Sequence, residues 1–294
     1  MAAVSAPSIP AQPVLTVAEP GPEPLGPLVP SAALRVLQPT QPEAANVLSP
    51  TQVKTFLDCS AKWWFRYGLR LPEPKSASLA LGSAVHEAIA ENFRHKIETR
   101  EDLDLFGVTA LFRQSWARQT GETLFQPEED PDQLRLLGEQ LVRKYLEEAA
   151  PSVDPAGVEF EVEGRIGGVP VRGFVDVMDA QGTVIDIKTA CRKPSAISFD
   201  HALQLATYRA LSPHASGEAR LDTLVKTKTV QLVQHRYTVT ESDLRAARVL
   251  YPLVQDGVRS GFYFPNRRSL LCSRRNCAFW SHCEREFGGT VPES

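Results

Sequence analysis

The stretch that decides the fold reads Val184-Ile185-Asp186-Ile187-Lys188-Thr189, and it closely follows the run Gly173-Phe174-Val175-Asp176. Both runs are strand-like, with charged residues set between apolar ones. Side chains on a strand alternate between its faces, so Asp186 and Lys188 should share one face while the isoleucines point to the core. Gly182 is placed to close a hairpin between the strands and to bring Asp176 to the same point.

The three charged residues of this hairpin suit metal-dependent hydrolysis. Two carboxylates at one point favour a hard divalent cation such as Mg²⁺ or Mn²⁺. A lysine beside them can orient water or offset charge that develops on a phosphate. An exposed ion pair on a hairpin would produce the same sequence pattern, because charged pairs in strands are common. The two strands alone therefore leave a catalytic site and a surface ion pair both open.

Two helical motifs flank the hairpin. Upstream, Gly82 is followed four residues later by His86. Downstream, Gln204 and Tyr208 share a helix face because they are four residues apart. In chain order the sequence carries G-x-x-x-H, G-x-x-D, D-x-K and Q-x-x-x-Y. This series resembles the RecB-like branch of the PD-(D/E)XK nuclease superfamily, and the resemblance covers about residues 47–287.

The resemblance implies a fold and an activity. The fold is α+β: a restriction-endonuclease-like mixed sheet flanked by helices, with a helical lobe inserted at residues 98–150. The activity is that of a Mg²⁺- or Mn²⁺-dependent deoxyribonuclease. We expect an exonuclease that acts on single-stranded DNA or DNA ends in repair, recombination or CRISPR adaptation. The alternatives are a non-cleaving DNA-binding module and a zinc-stabilised structural or partner-binding protein.

The resemblance also assigns the catalytic residues. Asp176 and Asp186 would bind the catalytic metal, together with the backbone carbonyl of Ile187. His86 would complete this metal site or bind a second metal. Lys188 would position the attacking water and offset charge on the phosphate.

Other residues near these motifs are expected to contact DNA or support the site. Gln204 and Tyr208 would hold the strand end or the DNA backbone. Glu163, on the strand before Asp176, is a weaker candidate for a supporting acid. Phe174 stands where the family often carries a more polar residue, which would alter DNA contacts rather than the chemistry.

The chain has five cysteines, and three of them crowd together as Cys272, Cys277 and Cys283. A secreted disulfide framework fits poorly, because the number is odd and the sequence shows no signal peptide. Clustered thiols then indicate a metal site, for which Cys59 is the natural fourth ligand. Cys191 directly follows the D-x-K strand and is expected to be a bystander.

One cysteine before the nuclease core and three after it resembles the iron–sulfur subgroup of these nucleases, which includes AddB-type subunits and CRISPR-adaptation nucleases. The resemblance implies a [4Fe–4S] cluster that ties residues 272–283 to Cys59. Four residues separate Cys272 from Cys277, where the subgroup commonly has two. Zinc on the same thiolates is the alternative, and unligated buried thiols are a third interpretation.

Charge and composition limit where DNA could bind. The formal net charge of −3 gives no support for a generally basic surface, so a DNA site would have to be a local groove. Trp63, Trp64 and Tyr67 are either stacking platforms for single-stranded bases or core residues. The candidate groove residues are Lys62, Arg66, Arg70, Arg192, Lys193, Lys226, Lys228, Arg267, Arg268, Arg274 and Arg275.

The chain divides into a tail and one domain. Residues 1–46 are rich in Pro and Ala and poor in charge, which predicts a disordered segment, and residues 288–294 form a short second tail. Residues 47–287 are expected to form the nuclease domain. No apolar run is long enough to span a membrane, and no G-x-x-x-x-G-K-[ST] phosphate loop is visible. We therefore expect a cytoplasmic DNA-binding protein whose helicase or CRISPR-adaptation partner, if present, is a separate chain.

Periodicity predicts the order of the elements. Helices are expected near residues 49–67, 79–96, 103–119, 131–149, 199–211 and 241–260. Strands are expected near residues 158–166, 169–178, 183–190, 220–227 and 230–239. Helices that precede and interrupt a run of strands in this order are typical of an α+β domain with a mixed sheet.

Overall fold

The computed structural model describes residues 46–293, so residues 1–45 of the predicted N-terminal tail lie outside it. The helices are α1 (Pro50–Asp58), α2 (Ser60–Trp63), α3 (Ala77–Thr99), α4 (Leu105–Thr120), α5 (Pro131–Glu148), α6 (Phe199–Leu211), α7 (Glu241–Arg259) and α8 (Trp280–Phe287). The strands are β1 (Lys75–Ser76), β2 (Thr123–Leu124), β3 (Pro155–Ile166), β4 (Val169–Asp179), β5 (Val184–Ala190), β6 (Glu218–Val225) and β7 (Gln231–Thr238). The short elements β1, β2 and α8 were not predicted.

The long strands form one mixed sheet in the order β3-β4-β5-β6-β7. The pairs β3–β4, β4–β5 and β6–β7 are antiparallel, whereas β5 and β6 are parallel. A parallel pair needs a crossover connection, and α6 supplies it between β5 and β6. The mixed sheet flanked by helices confirms the predicted restriction-endonuclease-like α+β fold.

Different helices cover the two faces of the sheet. On one face, α3, α4 and α5 enclose a cluster that includes Ile185 and Ile187 of β5. On the other, α6 packs on Val162 and Val175, and α1 and α7 pack on the ends of β3 and β4. The central strand β5 is therefore buried on both faces from Val184 to Ile187. No helix among residues 46–293 combines the length and apolarity needed to cross a membrane.

The predicted first helix, residues 49–67, is interrupted at Cys59. This residue has an extended backbone (φ −156°, ψ 103°) that separates α1 from α2, and a π-helical turn, Trp64–Gly68, follows α2. A later segment packs against the break: the Asn266 amide donates to the Asp58 carbonyl at 2.8 Å, and the Asn266 backbone N–H donates to Cys59 Sγ at 3.4 Å. The continuous-helix prediction was wrong because this tertiary contact overrides local periodicity.

A buried charged network fixes α5 to the edge of the sheet. Asp222 on β6 is fully buried and accepts two hydrogen bonds from Arg220, at 2.9 and 2.8 Å. The Tyr145 hydroxyl on α5 and the Gln234 amide on β7 donate to the same carboxylate at 3.0 and 3.1 Å. Each Asp222 oxygen thus has partners, which is the condition under which a buried carboxylate is tolerated.

The packing of α4 on α5 depends on a glycine, which gives a stability prediction. A Cβ at Gly138 would lie 2.0 Å from Phe112 Cζ and 2.9 Å from Leu81 Cδ1. We expect Gly138→Ala to lower the free energy of unfolding by about 1–3 kcal/mol through overpacking, despite alanine's better helix propensity. Gly121→Ala is the control, because Gly121 has an ordinary φ of −57° and its nearest neighbour lies 3.6 Å away. Equal stability of the two variants in urea denaturation would contradict this account.

Candidate active site

Strands β4 and β5 separate at the centre of the site. Their ladder contains only the pairs Val177–Ile185 and Met178–Val184. Beyond these pairs, Asp176 Oδ2 accepts the Ile187 N–H at 2.7 Å. The carboxylate therefore replaces the strand carbonyl that would otherwise bond this amide, and it lies in the gap between the two strands.

The predicted charged residues converge at this gap. Lys188 Nζ lies 2.7 Å from Asp186 Oδ1 and 3.7 Å from Asp176 Oδ2. The Gln204 amide on α6 donates to Asp186 Oδ1 and to the Tyr208 hydroxyl, both at 2.8 Å. The predicted hairpin forms and the predicted helix face points at it, so these five residues are in contact, while their catalytic roles stay predictions.

Burial controls the protonation of this group. Burial, reinforced by Asp176 and opposed by Lys188, raises the pKa of Asp186 to about 6. Burial alone would lower the pKa of Lys188, but the two carboxylates outweigh it and raise that pKa, so the lysine is a cation at neutral pH. Burial lowers the pKa of His86, which keeps the imidazole neutral, as a metal ligand must be.

Gly82 explains how α3 brings His86 to the site. A Cβ on Gly82 would lie 3.2 Å from Thr189 Oγ1, so the absence of a side chain here favours a close approach of the helix to β5. One turn later, His86 Nδ1 lies 3.7 Å from Asp176 Oδ2. The G-x-x-x-H spacing thus combines a close helix–strand contact at Gly82 with a candidate metal ligand at His86.

The sequence analysis missed Glu159 on β3. Ligand atoms of His86, Glu159 and Asp176 all lie within 4.8 Å of one another. Glu159 has a left-handed backbone (φ 45°), an uncommon conformation for a residue with a side chain. Its neighbours in β3 pair with the neighbours of Asp176 in β4, so the two carboxylates stand opposite each other. Counting outward from the Gly167-Gly168 turn would have identified this pairing.

The structure decides two points that the sequence analysis left open. Glu163, the weaker candidate acid, has a 73% exposed side chain that lies 3.7 Å from Arg172, away from the carboxylates of the site. Trp63 and Trp64 are buried and stack on Tyr263, so they are core residues rather than platforms for bases. Lys62 and Arg66, in the same stretch of chain, line the groove beside the site.

The four cysteines of the predicted cluster line one pocket. Cys59 comes from the break between α1 and α2, and Cys272, Cys277 and Cys283 come from the last part of the domain. Cys191 is exposed after β5 and does not line this pocket. The four thiols that the sequence analysis grouped therefore line one pocket, and their role as metal ligands stays a prediction.

Positive charge surrounds these thiols. Burial raises the pKa of Cys283 to about 11, which Arg267 opposes, and burial also raises the pKa of Cys277, which Lys62 opposes. Arg267 also lines the pocket, and its buried Nη1 has no hydrogen-bond partner among the described residues. A cationic metal centre would let the thiols bind as thiolates, and the resulting anionic complex could pair with the buried guanidinium.

A family comparison agrees with this geometry. The family model of the PD-(D/E)XK nuclease superfamily matches residues 47–284. The chain belongs to the PD-(D/E)XK nuclease superfamily. Members of this nuclease superfamily usually use divalent metals such as Mg²⁺, and the carboxylates and imidazole of the site are suitable ligands for one.

Two solved structures resemble this nuclease-superfamily chain. A “Putative exonuclease” from Eubacterium rectale aligns with a TM-score of 0.56 and 14% sequence identity, covering 87% of this chain and 94% of that one. SSO0001 aligns with a TM-score of 0.34 and 16% identity, covering 74% of this chain and 89% of that one. The first likeness supports the fold, whereas the second is too low to support an inference. No curated protein matches the chain.

The position of Glu159 in this nuclease-superfamily site gives a prediction with a matched control. Glu159→Gln removes one carboxylate from the group near His86 and should weaken Mn²⁺ binding about tenfold, the lower end of what loss of a supporting metal contact produces. Glu163→Gln makes the same change four residues further along β3 and should bind Mn²⁺ like the wild type. Calorimetric titration with Mn²⁺ measures both, and equal affinities would exclude Glu159 from the metal site.

Proposed function

We propose that the protein is a divalent-metal-dependent deoxyribonuclease that degrades single-stranded DNA or DNA ends as an exonuclease. The observation that carries the proposal is the convergence of Asp176, Asp186 and Lys188 in the gap between β4 and β5. Family membership supports the nuclease chemistry. The solved protein of the same fold is named a “Putative exonuclease”, which agrees with cleavage from an end.

The chain's donors suit Mg²⁺ or Mn²⁺. His86, Glu159 and Asp176 lie close enough to share a cation. Lys188 links this group to Asp186, because its ammonium lies near both Asp176 and Asp186. In the proposal, Asp186 Oδ2 and the Ile187 carbonyl complete the ligand set. When bound, such a metal would lower the pKa of water and offset the charge of the phosphate.

The remaining groups position these ligands and the substrate. Lys188 stays protonated between two carboxylates and can offset negative charge on the reacting phosphate. The Gln204 amide donates to Asp186 and also to the Tyr208 hydroxyl, so this pair restrains the orientation of the carboxylate. In our proposal Gln204 and Tyr208 therefore act on the metal ligand as well as lining the DNA groove.

The α3 side of the groove is acidic. Glu87, Glu91 and Glu159 line it, although Arg118 and Arg94 pair with the first two. Glu159 has no ion-pair partner among the described residues. A DNA strand that continued past the metal site in this direction would place its phosphates against these carboxylates, which is unfavourable.

The α1 side of the groove is basic. Lys54, Lys62 and Arg66 line it and lead to Lys188. Asp200 and Glu73 pair with Lys54 and Arg66, whereas Lys62 has no ion-pair partner in residues 46–293. Phosphates favour this side through electrostatic attraction. A strand that lies along α1 with its end at the metal site fits both halves of the groove, which supports an exonuclease.

A [4Fe–4S] cluster is our proposal for the cysteine pocket. All four thiols line one pocket, and the buried Arg267 Nη1 in that pocket has no hydrogen-bond partner among the described residues. Four thiolates on an iron–sulfur cubane would form an anionic group with which this guanidinium could pair. Zinc on the same four thiolates is the alternative.

Cleavage of labelled linear single-stranded DNA with Mg²⁺ or Mn²⁺ tests the proposed activity. Asp186→Asn keeps the side-chain volume but removes a buried charged ligand, and it should abolish cleavage, as should a chelator. Lys188→Ala should lower turnover about 100-fold, with DNA affinity little changed. Lys144→Ala, on the outer side of α5, is the control and should cleave normally. Circular single-stranded DNA should stay intact, and undiminished cleavage by Asp186→Asn would refute the site.

Iron analysis tests the cluster. Changing Cys59, Cys272, Cys277 or Cys283 to Ala should remove iron and brown colour together from anaerobically purified protein, and should increase proteolysis because metal binding is coupled to folding. Cys191→Ala should change neither property. Stoichiometric zinc in the wild type, or full iron content in Cys59→Ala, would overturn the cluster assignment.

A further inference from the structure

One stretch of the groove has the chemistry of a nucleoside site. It lies between residues 47–52 and the outer part of β4, and it opens onto Asp176 and Lys188. Its volume of about 600 Å³ is within the range of small-molecule sites. Gln204 and Tyr208 form its inner wall. This stretch, called here the β4 groove, extends from the proposed metal site toward residues 47–52.

An exposed aromatic ring forms one wall of the β4 groove. Arg172, Phe174 and Asp176 occupy alternate positions of β4 and therefore share a face, about 7 Å apart from one to the next. Phe174 is 53% exposed and belongs to none of the buried clusters of residues 46–293. The opposite face of β4 has no room for such a side chain at the neighbouring position, because a Cβ at Gly173 would lie 2.9 Å from the ring of Tyr208.

An unpaired acceptor in the same groove points to a ligand with hydrogen-bond donors. Gln52 Oε1 is buried and has no hydrogen-bond partner among the described residues. Its Nε2 donates a long hydrogen bond to the Val47 carbonyl at 3.5 Å. Phosphate offers no donor to this oxygen, whereas the amino group of a base or a sugar hydroxyl does.

We propose that the β4 groove binds the unpaired nucleoside next to the scissile phosphate, with the base stacked on Phe174 and hydrogen-bonded to Gln52. The proposal rests on the proposed nuclease function and specifies its substrate as single-stranded. A base inside a duplex is paired and stacked, so it cannot present its face to a protein ring without unpairing. Arg172, which Glu161 holds at 2.6 Å, lies one step further along β4 and would contact a flanking phosphate.

Single-turnover and steady-state kinetics on linear single-stranded DNA test the stacking contact. Loss of one base–aromatic stack is worth about 5- to 150-fold in binding, so Phe174→Ala should raise KM for DNA by a factor in this range. Its kcat at saturating DNA should change little. Phe174→Trp should restore the wild-type KM. Phe106→Ala is the matched control, because Phe106 is 80% exposed on α4, outside the β4 groove.

A scan of abasic substitutions locates the stacked base and keeps the two proposals separable. In the wild type, one abasic position near the cleaved end should weaken binding, and Phe174→Ala should abolish sensitivity at that position alone. Fluorescence anisotropy with Asp186→Asn and Ca²⁺ measures this without cleavage. Normal cleavage with identical KM and abasic profiles in Phe174→Ala would overturn the subsite while leaving the nuclease. Absence of cleavage by the wild type would refute the nuclease, and absence of single-strand binding would refute both.

Discussion

The site depends on one hydrogen bond, in which the Ile187 N–H donates to the Asp176 carboxylate. A backbone amide at the centre of a sheet needs an acceptor, and the usual acceptor is the carbonyl of the neighbouring strand. Here a side chain supplies it, so β4 and β5 can separate without leaving the amide unsatisfied. The opening between the strands exposes Lys188 and admits His86 from α3. The gap in the sheet and the candidate active site are therefore the same feature.

The gap between the strands places charged groups at a largely buried position, which costs free energy because these groups lose contact with water. Asp186 is almost fully buried, yet Lys188 and Gln204 contact its carboxylate. Glu159 keeps a left-handed backbone, a conformation that costs on the order of 1–3 kcal/mol. Apolar packing of the helices on both faces of β5 offsets these costs. A buried ion pair of this kind contributes little net stability, because the desolvation of both charges offsets their attraction.

Sequence periodicity predicted the parts of the site that follow from local geometry. Alternation along β5 placed Asp186 and Lys188 on one face, and helical spacing aligned Gln204 with Tyr208. What could not be predicted depends on tertiary contacts or on backbone angles. The left-handed φ of Glu159 leaves no trace in residue type, although its position opposite Asp176 follows from the hairpin turn.

The aromatic residues show a second limit of sequence reasoning. Trp63 and Trp64 interleave with basic residues, a pattern that fits a stacking surface as well as it fits one buried helix face. Only the packing of the later segment against α1 and α2 decides between these interpretations. Phe174 lies on an alternating strand beside Gly173, and its exposure follows from the close approach of α6 to that glycine.

The contacts between residues 58–61 and residues 264–269 also order events during synthesis. The Ala61 N–H donates to the Phe264 carbonyl at 3.1 Å, and Ser269 Oγ donates to Asp58 at 3.1 Å. Ribosomes deliver the helix that borders the groove some 200 residues before the segment that fixes it. Until translation of the domain is nearly finished, that helix lacks its anchor and the groove has only one complete wall.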